Sequence, residues 1–199
     1  IGVAGLGLAW QLVAQQCSGD GANEISVWKA QGAPAAGSVV TALLASPAQT
    51  AVIGVARYRD VDPVAPIGSV VGANANGAGG GCTGGLEDIS YELDLGPTSP
   101  GAIAFGAISH RKETHSPSSG LVERVERHQG NGPDNVSVAV VDGDAASIGS
   151  LVAGSFSSHV EWAGIAVEIR SRPAVGVGWV LEPSMQGLGQ IEIDPPGGY

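Results

Sequence analysis

Apolar–polar alternation with a period of two is the feature that most constrains this chain. In "DISYELDL" (88–95), Tyr91, Leu93 and Leu95 alternate with Glu92 and Asp94, and "VERVER" (122–127) also interleaves apolar with charged residues. A period of two puts every second side chain on one face of an extended segment, so each run predicts a strand with one wet face. Short runs rich in β-branched and aromatic residues recur along the whole chain: "LAWQLVAQQ", "ISVWKA", "SVVTALLA", "AVIGVARY", "PIGSVVG", "GAIAFGAIS", "NVSVAVVD", "SLVAGSF" and "WAGIAVEIR". Gly, Pro, Asn and Asp punctuate them. "VERVERHQ" has room for two helical turns, but "SPSSG" before it and "GNGPDN" after it make it a strand. No amphipathic stripe of about 12 residues interrupts the pattern. The expectation is an all-β antiparallel sandwich.

Composition narrows the class further. The 199 residues are 43% hydrophobic and 14% charged, which suits one folded domain rather than a solvating disordered chain. The 32 glycines and 12 prolines follow no collagen period and fit many turns between short strands. Net charge is −10 and the only lysines are Lys29 and Lys112, so a phosphate backbone would be repelled and nucleic-acid binding is not expected. No apolar run approaches the roughly 20 residues of a helical membrane span. The chain starts at Ile1 rather than Met and reads as a processed product or a fragment. Its two cysteines, Cys17 and Cys82, sit in polar or Gly-rich stretches and are expected to form a disulfide, which implies an oxidising compartment.

The opening "IGVAGLGLAW" poses a question of its own, because Gly5-Leu6-Gly7 after a strand-like start suggests a dinucleotide loop. That fingerprint needs a third glycine and a long helix. Trp10 stands where the third glycine should be and no helical pattern follows, so no nucleotide cofactor is expected.

Residues near both ends carry a resemblance. "GLAWQLVAQQC", "ISVWKAQGAPAAG", "VIGVARYRDVDPVAPIGSV", "PGAIAFGAI" and "VEWAGIAVEIRSRP" occur in that order over roughly residues 6 to 173. Together they resemble a jelly-roll-like β-sandwich accessory domain of secreted multidomain bacterial and phage-tail-associated proteins, which closes on a W-A-x-x-A-V-E-I-R strand. The resemblance implies a domain with no recognised catalysis and places Gly5 and Gly7 in a turn entering a strand. Domains of this kind begin with a further long apolar strand that Ile1–Leu6 is too short to supply. At the other end, "AVGVGWVLEPSMQGLGQIEIDPPGGY" follows Pro173 as an additional segment. The expected organisation is a sandwich over 1–173 and a β extension or arm over 174–199, with Val175, Val177, Trp179, Leu181, Ile191 and Ile193 as its apolar positions.

Candidate chemistry is sparse. There is no G-x-S-x-G elbow. His110 and His115 bracket Glu113 in "HRKETH", a spacing unlike H-E-x-x-H, and they read as solvated loop residues, while His128 and His159 read as isolated strand-end residues. Asp142 with Asp144 in "VVDGDAAS", and Asp60 with Asp62 in "YRDVDP", are weak calcium candidates, because D-x-D near a turn is also ordinary turn chemistry. No metal site is therefore assigned. No carboxylate pair is marked out as a glycosidase. "GANANGAGGGCTGG" (72–85) has glycines but no G-K-[ST] and reads as a long surface loop tied down by Cys82. Trp10, Trp28 and Trp162 lie in apolar strands and, with Ile165 and Val167, are assigned to the core. Two functions fit. The first is a non-catalytic extracellular or cell-surface structural subunit that assembles with copies of itself into a fibre through strand exchange. The alternative is a carbohydrate-binding or adhesion module with a surface glycan as partner.

Overall fold

A computed structural model describes residues 2–45, 48–111, 113–132 and 135–173. These contain thirteen strands and no α-helix: β1 (Gly2–Gly5), β2 (Gln11–Cys17), β3 (Glu24–Lys29), β4 (Val40–Leu43), β5 (Ile67–Asn74), β6 (Gly77–Ala78), β7 (Asp88–Asp94), β8 (Ile103–His110), β9 (His115–Pro117), β10 (Val122–Gln129), β11 (Val136–Asp144), β12 (Leu151–Val160) and β13 (Trp162–Ile169). Every ladder among them is antiparallel. A six-stranded sheet in the order β10-β11-β8-β13-β5-β6 forms the centre, with β7-β12-β9 on one face. The two-stranded sheet β2-β3 covers part of the other face, and β1-β4 forms a separate pair. The sandwich expected from the alternation is the fold.

β13 explains the layering. Its run "WAGIAV" is apolar without interruption because both of its faces are covered. Trp162 and Ala166 point into the core shared with Leu93, Ile108, Val152 and Phe156, while Ala163, Ile165 and Val167 meet Ile25, Val13 and Val27 of β2 and β3. Small residues on β8 make this possible. Gly106 lies against β12, where a Cβ would come within 2.8 Å of the Val141 side chain and closer still to that of Val152. β7 shows the opposite arrangement, with Tyr91, Leu93 and Leu95 buried and Glu92 and Asp94 exposed.

Gly5 has φ of +122°, and a Cβ there would overlap the Val39 carbonyl, so only glycine fits beside β4. The 5–7 stretch is thus a strand-to-strand turn, and the Trp10 indole N–H donates back to the Gly5 carbonyl at 3.1 Å. Cys17 and Cys82 are joined, with Cα atoms 5.6 Å apart. The start of the Gly-rich stretch is strand rather than loop, since 72–74 belong to β5 and Gly77–Ala78 form β6. Buried Asn74 on β5 secures the disulfide, its side-chain amide lying 2.9 Å from the Cys17 carbonyl and 3.0 Å from those of Gly80 and Gly81.

One expected strand does not form. "AVIGVARY" (51–58) is rich in apolar and β-branched residues, yet among the described residues it joins no ladder and makes no backbone-to-backbone hydrogen bond. Composition states that a segment suits a sheet, but pairing requires a neighbour at strand spacing.

Trp162→Ala should cost about 3–5 kcal/mol through cavity formation, read as a shift in denaturant midpoint. Trp162→Phe should cost less, because it keeps an aromatic ring beside Tyr91 and removes an indole N–H that is buried with no partner among the described residues. Mass spectrometry under non-reducing conditions should find the cystine intact. With its halves 65 positions apart in the sequence, reduction should remove about 4 kcal/mol on the chain-entropy account.

Candidate functional site

The uneven cover on the central sheet leaves a slot. β3 packs over β13 and β8, whereas 51–58 lies over β11 and β10, with Gly54 against Val140 and Val125. Tyr58 fixes that segment by donating its hydroxyl to Asp142 at 2.8 Å and meeting Phe105 edge-on at 6.3 Å. Between these two walls is a cavity of about 1470 Å³, with Phe105, Ala107, Val138, Val140 and Val167 among its lining residues. Small-ligand sites usually enclose about 300–1,000 Å³, so this space is larger than one such molecule needs.

The walls have the chemistry of strand edges. Among the described residues β3 pairs only with β2, and the 51–58 backbone is unpaired. An extended segment laid between them would find an apolar floor and backbone donors and acceptors on both sides. The described chain also ends at this slot. Val61 bridges Ser171, the Asp62 N–H donates to the Arg170 carbonyl at 2.9 Å, and the Arg172 N–H donates to the Asp60 carbonyl at 2.7 Å. Arg172 itself lines the cavity.

A second concentration of polar groups lies in the opposite core. His110 and His115, which the sequence pattern assigns to a solvated loop, are buried at the end of β8 and in β9. The correction follows from topology, because the polar turn between them carries the chain from one sheet to the other. His115 stands between the Tyr91 hydroxyl, 2.7 Å from Nε2, and the Glu123 carboxylate, 2.5 Å from Nδ1. A carboxylate only accepts, so Nδ1 carries the hydrogen and Nε2 receives the Tyr91 O–H. Burial, reinforced by the Glu123 charge, raises the Tyr91 pKa and keeps the phenol protonated. This chain of bonds resembles a nucleophile triad only in outline, since its hydroxyl is a buried phenol that ionises reluctantly.

The remaining candidates separate. Asp142 is buried and engaged by Arg124 at 2.7 Å as well as by Tyr58. Asp144 is exposed and accepts the Ser147 N–H at 2.9 Å in the following turn. Asp60 and Asp62 lie beside the slot, where Asp62 accepts the N–H groups of Val64 and Ala65. His128 and His159 are exposed on β10 and β12. Trp162, Ile165 and Val167 are fully in the core, while Trp10 and Trp28 are half-buried at its margin. Val175, Val177, Trp179, Leu181, Ile191 and Ile193 lie outside the described residues. Sequence reasoning missed buried Glu168, whose carboxylate accepts the N–H groups of Ser99 at 2.7 Å and Ser69 at 2.9 Å. Burial pushes its pKa up, but those bonds outweigh it and hold the group below the usual carboxylate value. Its isolated charge within the apolar run of β13 was the available signal.

No family model, curated protein or solved structure matches the chain.

Tyr91→Phe should cost about 1–3 kcal/mol, because His115 Nε2 is left buried without its donor. Chemical denaturation of the variant and the parent at pH 7 checks this.

Proposed function

We propose that this protein is a non-catalytic structural subunit of the cell exterior that assembles through strand exchange, with residues 174–193 of one copy entering the slot of the next. The slot carries the reading, since it has an apolar floor and is bounded by the edge of β3 and by the 51–58 segment, both unpaired among the described residues. The proposed occupant leaves the described chain at the slot's mouth. Its "VGVGWVL" places Val175, Val177, Trp179 and Leu181 on one face, the pattern an apolar floor receives. Pro173 restricts Arg172 to extended conformations, which disfavours an immediate reversal into the same molecule. A head-to-tail contact of this kind does not close on itself, so it builds a filament.

The disulfide suits an oxidising exterior. No helix among the described residues is long and apolar enough to cross a membrane. Glycan binding by stacking would call for an exposed aromatic row, whereas Trp10, Trp28, Tyr58 and Phe105 are half-buried and Tyr91, Phe156 and Trp162 are buried. Assembly is therefore the better-supported reading.

Light scattering during size-exclusion chromatography should show the full chain growing beyond a monomer as concentration rises. Val177→Asp with Trp179→Asp in the full chain should abolish that growth. The 1–173 fragment should remain monomeric and bind a synthetic 174–193 peptide. A full chain that stays monomeric at every concentration would overturn assembly in trans, and a fragment that ignores the peptide would overturn the occupant.

A further inference from the structure

Three of the four histidines meet outside the slot, where β8, β9 and β10 converge. His110 is 0% exposed, and among the described residues neither ring nitrogen has a well-formed hydrogen bond, although the Arg111 backbone acts on the ring. Its ring packs on Phe156 of β12 at 5.1 Å and on His115 of β9 at 6.1 Å between centroids. Glu126 of β10 is the nearest carboxylate, its Oε1 3.6 Å from His110 Nε2 and 3.9 Å from His128 Nε2. The same oxygen accepts the His115 N–H at 3.2 Å. Glu113, in the turn before β9, and His128 also act on His110 through their charges. Glu123 of β10 and Tyr91 of β7 hold His115 beside it. Trp162 of β13 and Ser137 of β11 are its ladder partners and bring no charge.

This corner is lightly fastened. β9 has three residues and one short ladder, to β12, while β10 is an outer strand paired only with β11 among the described residues. Such edges open at lower free energy than central strands. Closed, the corner buries the His110 imidazole away from water, and that burial outweighs the nearby carboxylates in opposing a positive charge; open, the ring reaches water.

We propose that the His110–His115–Glu126 corner is an acid-operated latch: a proton taken up by His110 releases β9 and β10 while β13 and its ladders stay closed. Burial, with His115 and His128 adding to it, pushes the His110 imidazole down to about 4 from its ordinary 6.5. The sign follows from linkage. Above pH 6.5 neither form binds the proton. Between 6.5 and 4 only the open form binds it, so the opening constant rises by up to about tenfold per pH unit. Below 4 both forms are protonated and the gain ends.

Hydrogen exchange of the full chain, corrected for the intrinsic pH dependence of amide exchange, tests this between pH 7 and 4. Protection of 115–117 and 122–129 should fall steeply with pH, while that of 163–167 should not. His110→Phe keeps a ring against Phe156 and should flatten the dependence, whereas His159→Ala, at an exposed position on β12, should leave it intact. Loss of protection in all strands together, no loss on acidification, or an unchanged slope in His110→Phe would each overturn the latch. Should His110→Phe fail to fold, the wild-type His110 ring resonance decides: a midpoint near 4 supports the latch, and one at or above 6.5 overturns it.

Discussion

Burial of β13 on both faces is the constraint on which the rest of the fold depends. A strand covered on both sides needs two apolar layers, and this chain supplies one of them completely through β7-β12-β9 and the other only in part through β2-β3. The complete layer contains Trp162, Phe156, Tyr91 and the latch histidines. The partial layer contains the slot. Both proposed behaviours, assembly and acid response, thus come from the same central sheet viewed from opposite faces.

The two faces also handle polarity differently. On the complete side the Glu123–His115–Tyr91 chain matches its buried polar groups, while the His110 ring and the Trp162 indole N–H lack hydrogen-bond partners among the described residues. An orphaned buried ring is costly when neutral and more costly when charged, which makes it sensitive to protons. On the slot side, the unmatched groups among the described residues include the backbone of β3 and of 51–58. Backbone edges respond to other strands rather than to pH.

Much of this was legible in the sequence. Tyr91, Leu93 and Leu95 against Glu92 and Asp94 gave the one-sided strand, "WAGIAV" stood out as an uninterrupted apolar run, and the resemblance placed Gly5 and Gly7 in a turn entering a strand. What stayed hidden depends on partners distant in the chain. His110 and His115 lie in a polar stretch, "HRKETH", and become core residues only because β8 and β9 belong to different sheets. Residues 51–58 have the composition of a strand but pair with no other segment among the described residues, and no local pattern can report whether a neighbour is present. Glu168 was a charge in an apolar run, and the N–H groups of Ser69 and Ser99 that accommodate it come from two other parts of the chain.

The position of β13 has a mechanical consequence. Its last residues lead directly to Pro173, so tension on the chain beyond that point enters through the strand flanked by β5 on one side and β8 on the other. Ladder hydrogen bonds in antiparallel sheets run perpendicular to the strands. A pull along the β13 axis therefore loads both rows in shear, many bonds at once, rather than unzipping them singly.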